Sequence, residues 1–242
     1  MTTKMLRWIP IGCFFLISLF SCAVVLEMQL ETDGSGSADF HIEIIPVFLE
    51  TIREMDELAG GAELPEDGTL FDLEKLEEAF TRIPAIALDE LASPTPEILN
   101  GSFRYQDIEK IFLNQNSMID TGIISASKEN EETTIRILLD RDNFSQVLSL
   151  LPILDNPFFQ ILGPEENEGI SEDEYLEILE LVLGEEGPEV AKNSNLLVAV
   201  NVKGKIISQS GGEIVGSSVV YTIPLLDVLL LAAPLEYELT FK

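Results

Sequence analysis

Several stretches near the two ends of the chain alternate apolar and polar residues with the period of a β-strand. In the first of them, Val24, Leu26, Met28 and Leu30 alternate with more polar neighbours. Alternation of this kind indicates a strand with one face in a core and the other in water. The turn residues at 32–36 make the first two strands a hairpin. Similar segments lie at 38–44, 196–202, 218–223 and 235–241.

The middle of the chain changes to helical spacing. Phe48, Ile52, Met55 and Ala59 share one face of a predicted helix, and further helices are predicted near 73–83, 143–151 and 171–182. A second hairpin is predicted from the β-branched residues of 122–127 and 133–139. The predicted fold class is α+β: a mainly antiparallel sheet formed by the N- and C-terminal strands, with helices and a middle β-hairpin between them. We expect both ends to join one sheet, with the helices packed over its apolar face.

The first residues have the pattern of an export signal. Lys4 and Arg7 precede an apolar run, and Leu19-Phe20-Ser21-Cys22 is a relaxed form of the sequence at which bacterial lipoprotein signals are cut and acylated. This predicts a signal peptide over 1–21, lipidation of Cys22, and one extracytoplasmic α+β domain over 22–242. Two alternatives are an uncleaved anchor from Ile9 to Leu26 and a plain secretory signal cut near Ser21.

The charge balance narrows the classes of partner. The chain has 14 basic and 43 acidic residues, for a formal net charge of −29. Nucleic acid is excluded as a partner, because its binding needs clustered Lys and Arg. Membrane attachment is expected through acyl chains at the N-terminus instead of a basic patch. Glu165 to Glu189 contains eleven carboxylates and no Lys or Arg, which indicates a solvated face or an irregular cation site.

No motif predicts catalysis. The sequence lacks the nucleophile elbow, the zinc-protease helix and the phosphate-binding loop, and its one histidine, His41, falls on the polar face of a predicted strand. The acidic stretch fails the EF-hand pattern, since Pro164 and Tyr175 occupy the first and last ligand positions when Gly169 is the central glycine. We therefore expect a non-enzymatic protein without catalytic residues, metal site or cofactor.

An apolar segment precedes the last predicted strand. Ile223 to Pro234 is apolar apart from Asp227 and is too short to cross a bilayer. It is interpreted as a buried crossover between the last two strands, or as the lining of an apolar cavity. On the second interpretation, the residues that contact the ligand are Leu225, Leu226, Leu229 and Leu230.

Glycines recur between the last predicted strands. The hairpin that starts at Cys22, together with Gly204, Gly211-Gly212-Glu213-Ile214-Val215-Gly216 and Val219-Val220-Tyr221, resembles the LppM-type domain of bacterial envelope lipoproteins. Such domains carry Pro-Gly where this chain has Lys203-Gly204, and often Trp in place of Tyr221. The resemblance implies an envelope-facing α+β domain associated with lipids, and it implies no catalytic residues.

Two functions follow from these features. The first is a membrane-anchored lipoprotein of the bacterial cell envelope, periplasmic or at the surface, that binds a lipid or another apolar ligand near the membrane. The alternative is a structural or interaction lipoprotein whose acidic face contacts another envelope protein.

Overall fold

The computed structural model describes residues 22–59, 71–108, 123–129, 131–150 and 161–242, and the α+β class is confirmed. The leader at 1–21 lies outside the described residues. The strands are β1 (Cys22–Leu30), β2 (Gly36–Glu43), β3 (Ile86–Thr95), β4 (Ile98–Tyr105), β5 (Ile124–Glu129), β6 (Glu132–Leu139), β7 (Asn195–Val202), β8 (Ile206–Ser210), β9 (Glu213–Val215), β10 (Ser218–Pro224) and β11 (Leu235–Phe241). The helices are α1 (Pro46–Ala59), α2 (Leu73–Thr81), α3 (Arg141–Leu150), α4 (Glu172–Leu183), α5 (Gly187–Asn193) and α6 (Leu225–Leu230).

The larger of two sheets joins the N-terminal hairpin to the C-terminal strands. Its seven strands lie in the order β3-β4-β2-β1-β7-β10-β9, so that β1 is the central strand. β1 pairs antiparallel with β2 and parallel with β7, where Leu26 lies opposite Val198. The other pairs in this large sheet are antiparallel. The predicted union of the two chain ends in one sheet is therefore correct for β7, β9 and β10.

The final strand belongs to a second, smaller sheet. β11 lies between β6 and β8 in a sheet of order β5-β6-β11-β8, which contains the predicted middle hairpin. The expectation that β11 joins the N-terminal strands was wrong, because the crossover helix α6 carries the chain from one sheet to the other. The Arg141 side chain donates hydrogen bonds to the carbonyls of Leu230 and Leu231, which holds the end of this crossover beside α3.

The strand registers place most of the large apolar side chains of the large sheet on one face, and that face has two cores. Over one part of it, the small sheet packs through Leu239 and Phe241 against residues that include Leu30, Val202 and Val219. The helices form the second core over another part of the same face. Its buried members are Phe48, Leu49, Ile52, Phe71, Leu76, Leu99, Leu162, Tyr175, Leu176, Leu179, Leu183, Ala191, Leu226 and Leu230.

Helix α4 anchors the helical core, and its boundaries follow from the sequence. Ser171 and Glu174 form the predicted capping box, with the Glu174 carboxylate accepting hydrogen bonds from the Ser171 backbone N–H and hydroxyl. The fully buried Tyr175 donates a 2.6 Å hydrogen bond to the Leu162 carbonyl. Burial raises the pKa of this phenol, so it remains a neutral donor at ordinary pH.

Candidate functional site

The central part of the large sheet is incompletely covered. Val24 and Leu26 on β1, and Leu196 on β7, lie on the apolar face of the sheet but remain partly exposed. Within the described residues, none of the three is a member of the helical core or of the core between the sheets. Their neighbours across the strands, Phe40 and Val198, pack against one core each. These three residues, called the apolar strip below, are therefore partly exposed apolar positions that lie between residues of the two cores.

Larger side chains border the apolar strip. Phe40 lies directly opposite Leu26 on β2, Val198 lies opposite it on β7, and both are partly exposed. The Phe40 ring occupies the space over Gly101 of β4, where a Cβ atom would overlap it. Phe40 also stacks on Phe80 of α2, with ring centroids 6.0 Å apart, and contacts the Phe103 ring at 6.5 Å. The apolar strip is thus bordered on its β2 side by the aromatic ring of Phe40, called the Phe40 wall below.

Helix α6 and Cys22 lie at the same end of the large sheet. Cys22 pairs with Asn195 of β7, and Asn195 pairs with Pro224 of β10, immediately before α6. The Leu225 backbone N–H donates a hydrogen bond to the Ser194 carbonyl, which fixes the start of the helix against this end of β7. Because Leu196 and Val24 lie next along the same strands, the apolar strip begins beside α6 and beside the predicted lipidation residue.

The four leucines predicted to line a ligand site fall into two pairs. Leu226 and Leu230 are buried members of the helical core, whereas Leu225 and Leu229 are partly exposed and pack against it. The crossover position of α6 matches the first interpretation of this segment. Contact of the four leucines with a ligand stays a prediction, and of the four only Leu225 and Leu229 are open to one. Sequence reasoning missed Val24, Leu26 and Leu196, because alternation identifies the face of a strand but not what covers it.

The opposite face of the large sheet is polar. His41 lies there as expected, with its Nδ1 atom 2.6 Å from Oδ1 of Asn100 and its Nε2 atom 3.9 Å from the Glu43 carboxylate. An amide and a nearby carboxylate orient the ring without placing a nucleophile beside it. Arg104 and Asp89 form a two-pronged ion pair on the same sheet, and its hydrogen bonds lower the pKa of the Asp89 carboxyl.

Three other tyrosines serve as structural hydrogen-bond donors or ring contacts. Tyr105 donates to the Gln29 carbonyl and Tyr221 to the Glu238 carbonyl, at 2.9 and 3.0 Å. Burial raises the pKa of Tyr105. Burial, and to a smaller extent the negative charge of Glu238, raises the pKa of Tyr221 to about 12. The Tyr237 ring meets Tyr221 edge to face, and its pKa is raised as well, chiefly by burial. Because their pKa values are raised, these phenols stay protonated at neutral pH and are poor general acids.

Within the described parts of the chain, no group of three or more His, Cys, Asp or Glu side chains is placed to hold a metal ion. Over those ranges, none of the helices combines the length and apolar character required to span a bilayer.

Comparison with known proteins yields one weak similarity. No family profile and no curated protein sequence matches this chain. Among solved structures, the chain is similar to the folded domain of the Mycobacterium tuberculosis LppM protein, determined by NMR. The similarity covers 92% of this chain and 91% of that one, with 7% identical residues and a TM-score of 0.39. It is a likeness at the level of the fold, and it says nothing about a ligand, an anchor or a partner.

Proposed function

We propose that this protein is a lipid-anchored envelope protein, bacterial and extracytoplasmic, that holds an apolar chain of a membrane lipid on its large sheet. The observation that carries the proposal is the apolar strip of Val24, Leu26 and Leu196, three partly exposed residues that belong to neither core as the described residues define them. The protein acts by binding and has no catalytic step.

The physical chemistry of the strip supports an apolar ligand. Each square ångström of apolar surface removed from water contributes roughly 25 cal/mol, so covering several partly exposed aliphatic and aromatic side chains is favourable. A hydrocarbon chain makes no hydrogen bonds, and the side chains of the strip and of its Phe40 wall offer none. An acyl chain lying along the strip would enter beside α6, where Leu225 and Leu229 are partly exposed.

The position of Cys22 supports a lipid as the source of that chain. Because β1 begins at Cys22, acylation there would hold the α6 end of the large sheet against the membrane with no intervening linker. Acyl chains contribute about 0.8 kcal/mol per buried methylene, and more than one chain is needed for stable anchoring.

Photo-crosslinking tests the ligand site. The full chain, in nanodiscs that contain a phospholipid with a photoreactive acyl chain, should crosslink at peptides that include Leu26, Phe40 or Leu196. Leu26→Trp fills the strip and should remove most of this crosslinking, because an indole would occupy the space of the chain. Mass spectrometry of the crosslinked peptides gives the yield at each position.

Leu197→Trp is the matched control. Leu197 is also partly exposed but lies on the opposite face of β7, opposite Val25 of β1. This variant should crosslink like the unmodified protein, and both variants should retain its melting temperature. Equal yields from the two tryptophan variants, or crosslinks confined to residues 1–21, would contradict an apolar site on the sheet.

Metabolic labelling tests the anchor independently. Cells that produce the full chain and are fed a fatty-acid analogue should label the unmodified protein, whereas Cys22→Ala should be unlabelled and should retain its leader. Equal labelling of the two proteins would refute acylation at Cys22. An unmodified protein that keeps residues 1–21 would instead support the uncleaved anchor.

A further inference from the structure

A shallow groove runs along the solvent side of helix α4. It is lined by Glu168 and Ile170 from the preceding turn and by Glu174, Glu177, Ile178 and Leu181 from the helix. The four helical residues recur at spacings of three and four, so they form one continuous face. The face opposite to them contains Tyr175, Leu179 and Leu183 and is buried in the helical core. The groove is therefore a second stripe beside the core-facing one: Ile170 and Ile178 are partly exposed and also pack against the edge of the helical core, whereas Leu181 is exposed.

An exposed leucine lies at the end of this groove. Leu181 is 87% exposed, more than any single position in the exposed apolar edge at Ile214 and Val215, which are 57% and 58% exposed. Ile178 lies one turn before it and is partly exposed. A leucine at the surface is common by itself. Here it is one of three aliphatic side chains in a concave surface, with carboxylates beside them.

The carboxylates of the groove are almost free of basic partners. Of the eleven acidic residues between Glu165 and Glu189, only Glu168 forms an ion pair within the described residues, at 3.7 Å from Arg141. Helix α4 has no basic residue in its last turn, where Glu180 is placed and where a negative charge opposes the helix dipole. Glu174 is held ionised by its hydrogen bonds from Ser171, which lower the pKa of its carboxyl. These uncompensated charges disfavour the folded state slightly and favour any cation that approaches.

We propose that the α4 groove docks a basic amphipathic segment of a partner protein. The apolar part of that segment covers Ile170, Ile178 and Leu181, and its Lys or Arg side chains pair with Glu168 and Glu177. A bound divalent ion fits less well, because the described carboxylates are not placed as a cluster of metal ligands. A second copy of this chain also fits less well, because its own groove has the same charge and the chain is strongly acidic throughout. This docking surface is independent of the apolar strip and would remain if no lipid bound there.

A designed peptide serves as the probe for this groove. The probe is a short alanine-based helix that presents lysines on both sides of one leucine, and its control replaces the lysines with glutamates. The full chain, in nanodiscs of a zwitterionic phospholipid, should bind the lysine probe at low salt and should not bind the glutamate control. Glu177→Gln combined with Leu181→Ser should weaken binding of the probe by about tenfold or more, because it removes one charge pair and one apolar contact from the groove.

A matched variant separates the groove from general attraction to an acidic protein. Glu213→Gln combined with Ile214→Ser removes one charge and one exposed aliphatic side chain from the edge strand β9. It should leave the dissociation constant within about twofold, and neither variant should shift the melting temperature, since all four side chains are exposed. Equal weakening by the two variants, binding to empty nanodiscs alone, or self-association of the chain that Leu181→Ser abolishes would overturn the proposal.

Discussion

Truncation of the chain after Pro234 should abolish cooperative unfolding of the entire domain, instead of loosening one end. The deletion removes β11, which is an inner strand of the small sheet and pairs with β6 and β8. Leu239 and Phe241, which are 2% and 1% exposed, would no longer cover the large sheet. The remaining β5–β6 hairpin is too small to be stable alone. Thermal or urea unfolding followed by circular dichroism provides the measurement.

Two single substitutions test the same placement of β11 with smaller expected changes in stability. Phe241→Ala should lower the free energy of unfolding by about 3–5 kcal/mol, since it creates a cavity between the sheets. Ile214→Ala removes a side chain that is 57% exposed on β9 and should change the free energy of unfolding by much less. A truncated chain that melts cooperatively near the original temperature would contradict the placement of β11 at the centre of the small sheet.

Gly36→Ala should lower the free energy of unfolding of the domain by about 1–3 kcal/mol, although it adds a single methyl group. A Cβ at Gly36 would overlap the backbone oxygen of Gln29 and would lie 2.5 Å from the Tyr105 hydroxyl oxygen. That hydroxyl donates its hydrogen bond to the same Gln29 carbonyl. The backbone atoms of the paired strands cannot move aside cheaply, so the methyl group would break the hydrogen bond or separate the strands.

Ser37→Ala is the neighbouring control for this substitution. Ser37 lies on the polar face of β2, opposite Gln29 and Arg104, and its change should alter the free energy of unfolding by less than about 0.5 kcal/mol. Urea unfolding of the two variants measures the difference. A Gly36→Ala protein as stable as Ser37→Ala would show that the close approach of Tyr105 to Gln29 is not needed for the fold.

Local patterns predicted the individual elements well. The alternation from Val24 onwards predicted β1 to within two residues at its start, and the β-branched segments on either side of residue 130 predicted the β5–β6 hairpin. The Ser171–Glu174 pair predicted the start of α4, where both capping hydrogen bonds are present. These features depend on neighbours within a few residues of each other, so the sequence contains all the information they need.

Two local features depend on surroundings outside the local pattern. Proline is rare within strands, yet β3 includes Pro94 near its end. β3 is an edge strand, so the N–H that proline lacks is not needed on its open side. The spacing predicts a helix from residue 143, but α3 begins at Arg141, and the Asp140 carboxylate accepts a hydrogen bond from the Asn143 N–H.

Tertiary arrangement was less accessible from the sequence than the elements were. Nothing local indicates that β1 pairs in parallel with β7, or that β11 leaves the large sheet. Each pairing depends on the relative stability of alternative contacts between residues that are far apart in the sequence. The same limit applies to the apolar strip. Leu26 and Leu196 have the sequence pattern of ordinary core residues, and only their partial exposure in the folded chain distinguishes them.

The parallel pairing of β1 with β7 has a consequence for the order of folding. Residues 22–30 meet residues 195–202, so the central strand cannot gain its second neighbour until most of the chain has been synthesised. Contacts of such large sequence separation slow folding, since the loop entropy is lost before they form. If Cys22 is acylated during export, the modification would occur on a strand that is still without this partner, with its cysteine accessible to the modifying enzymes.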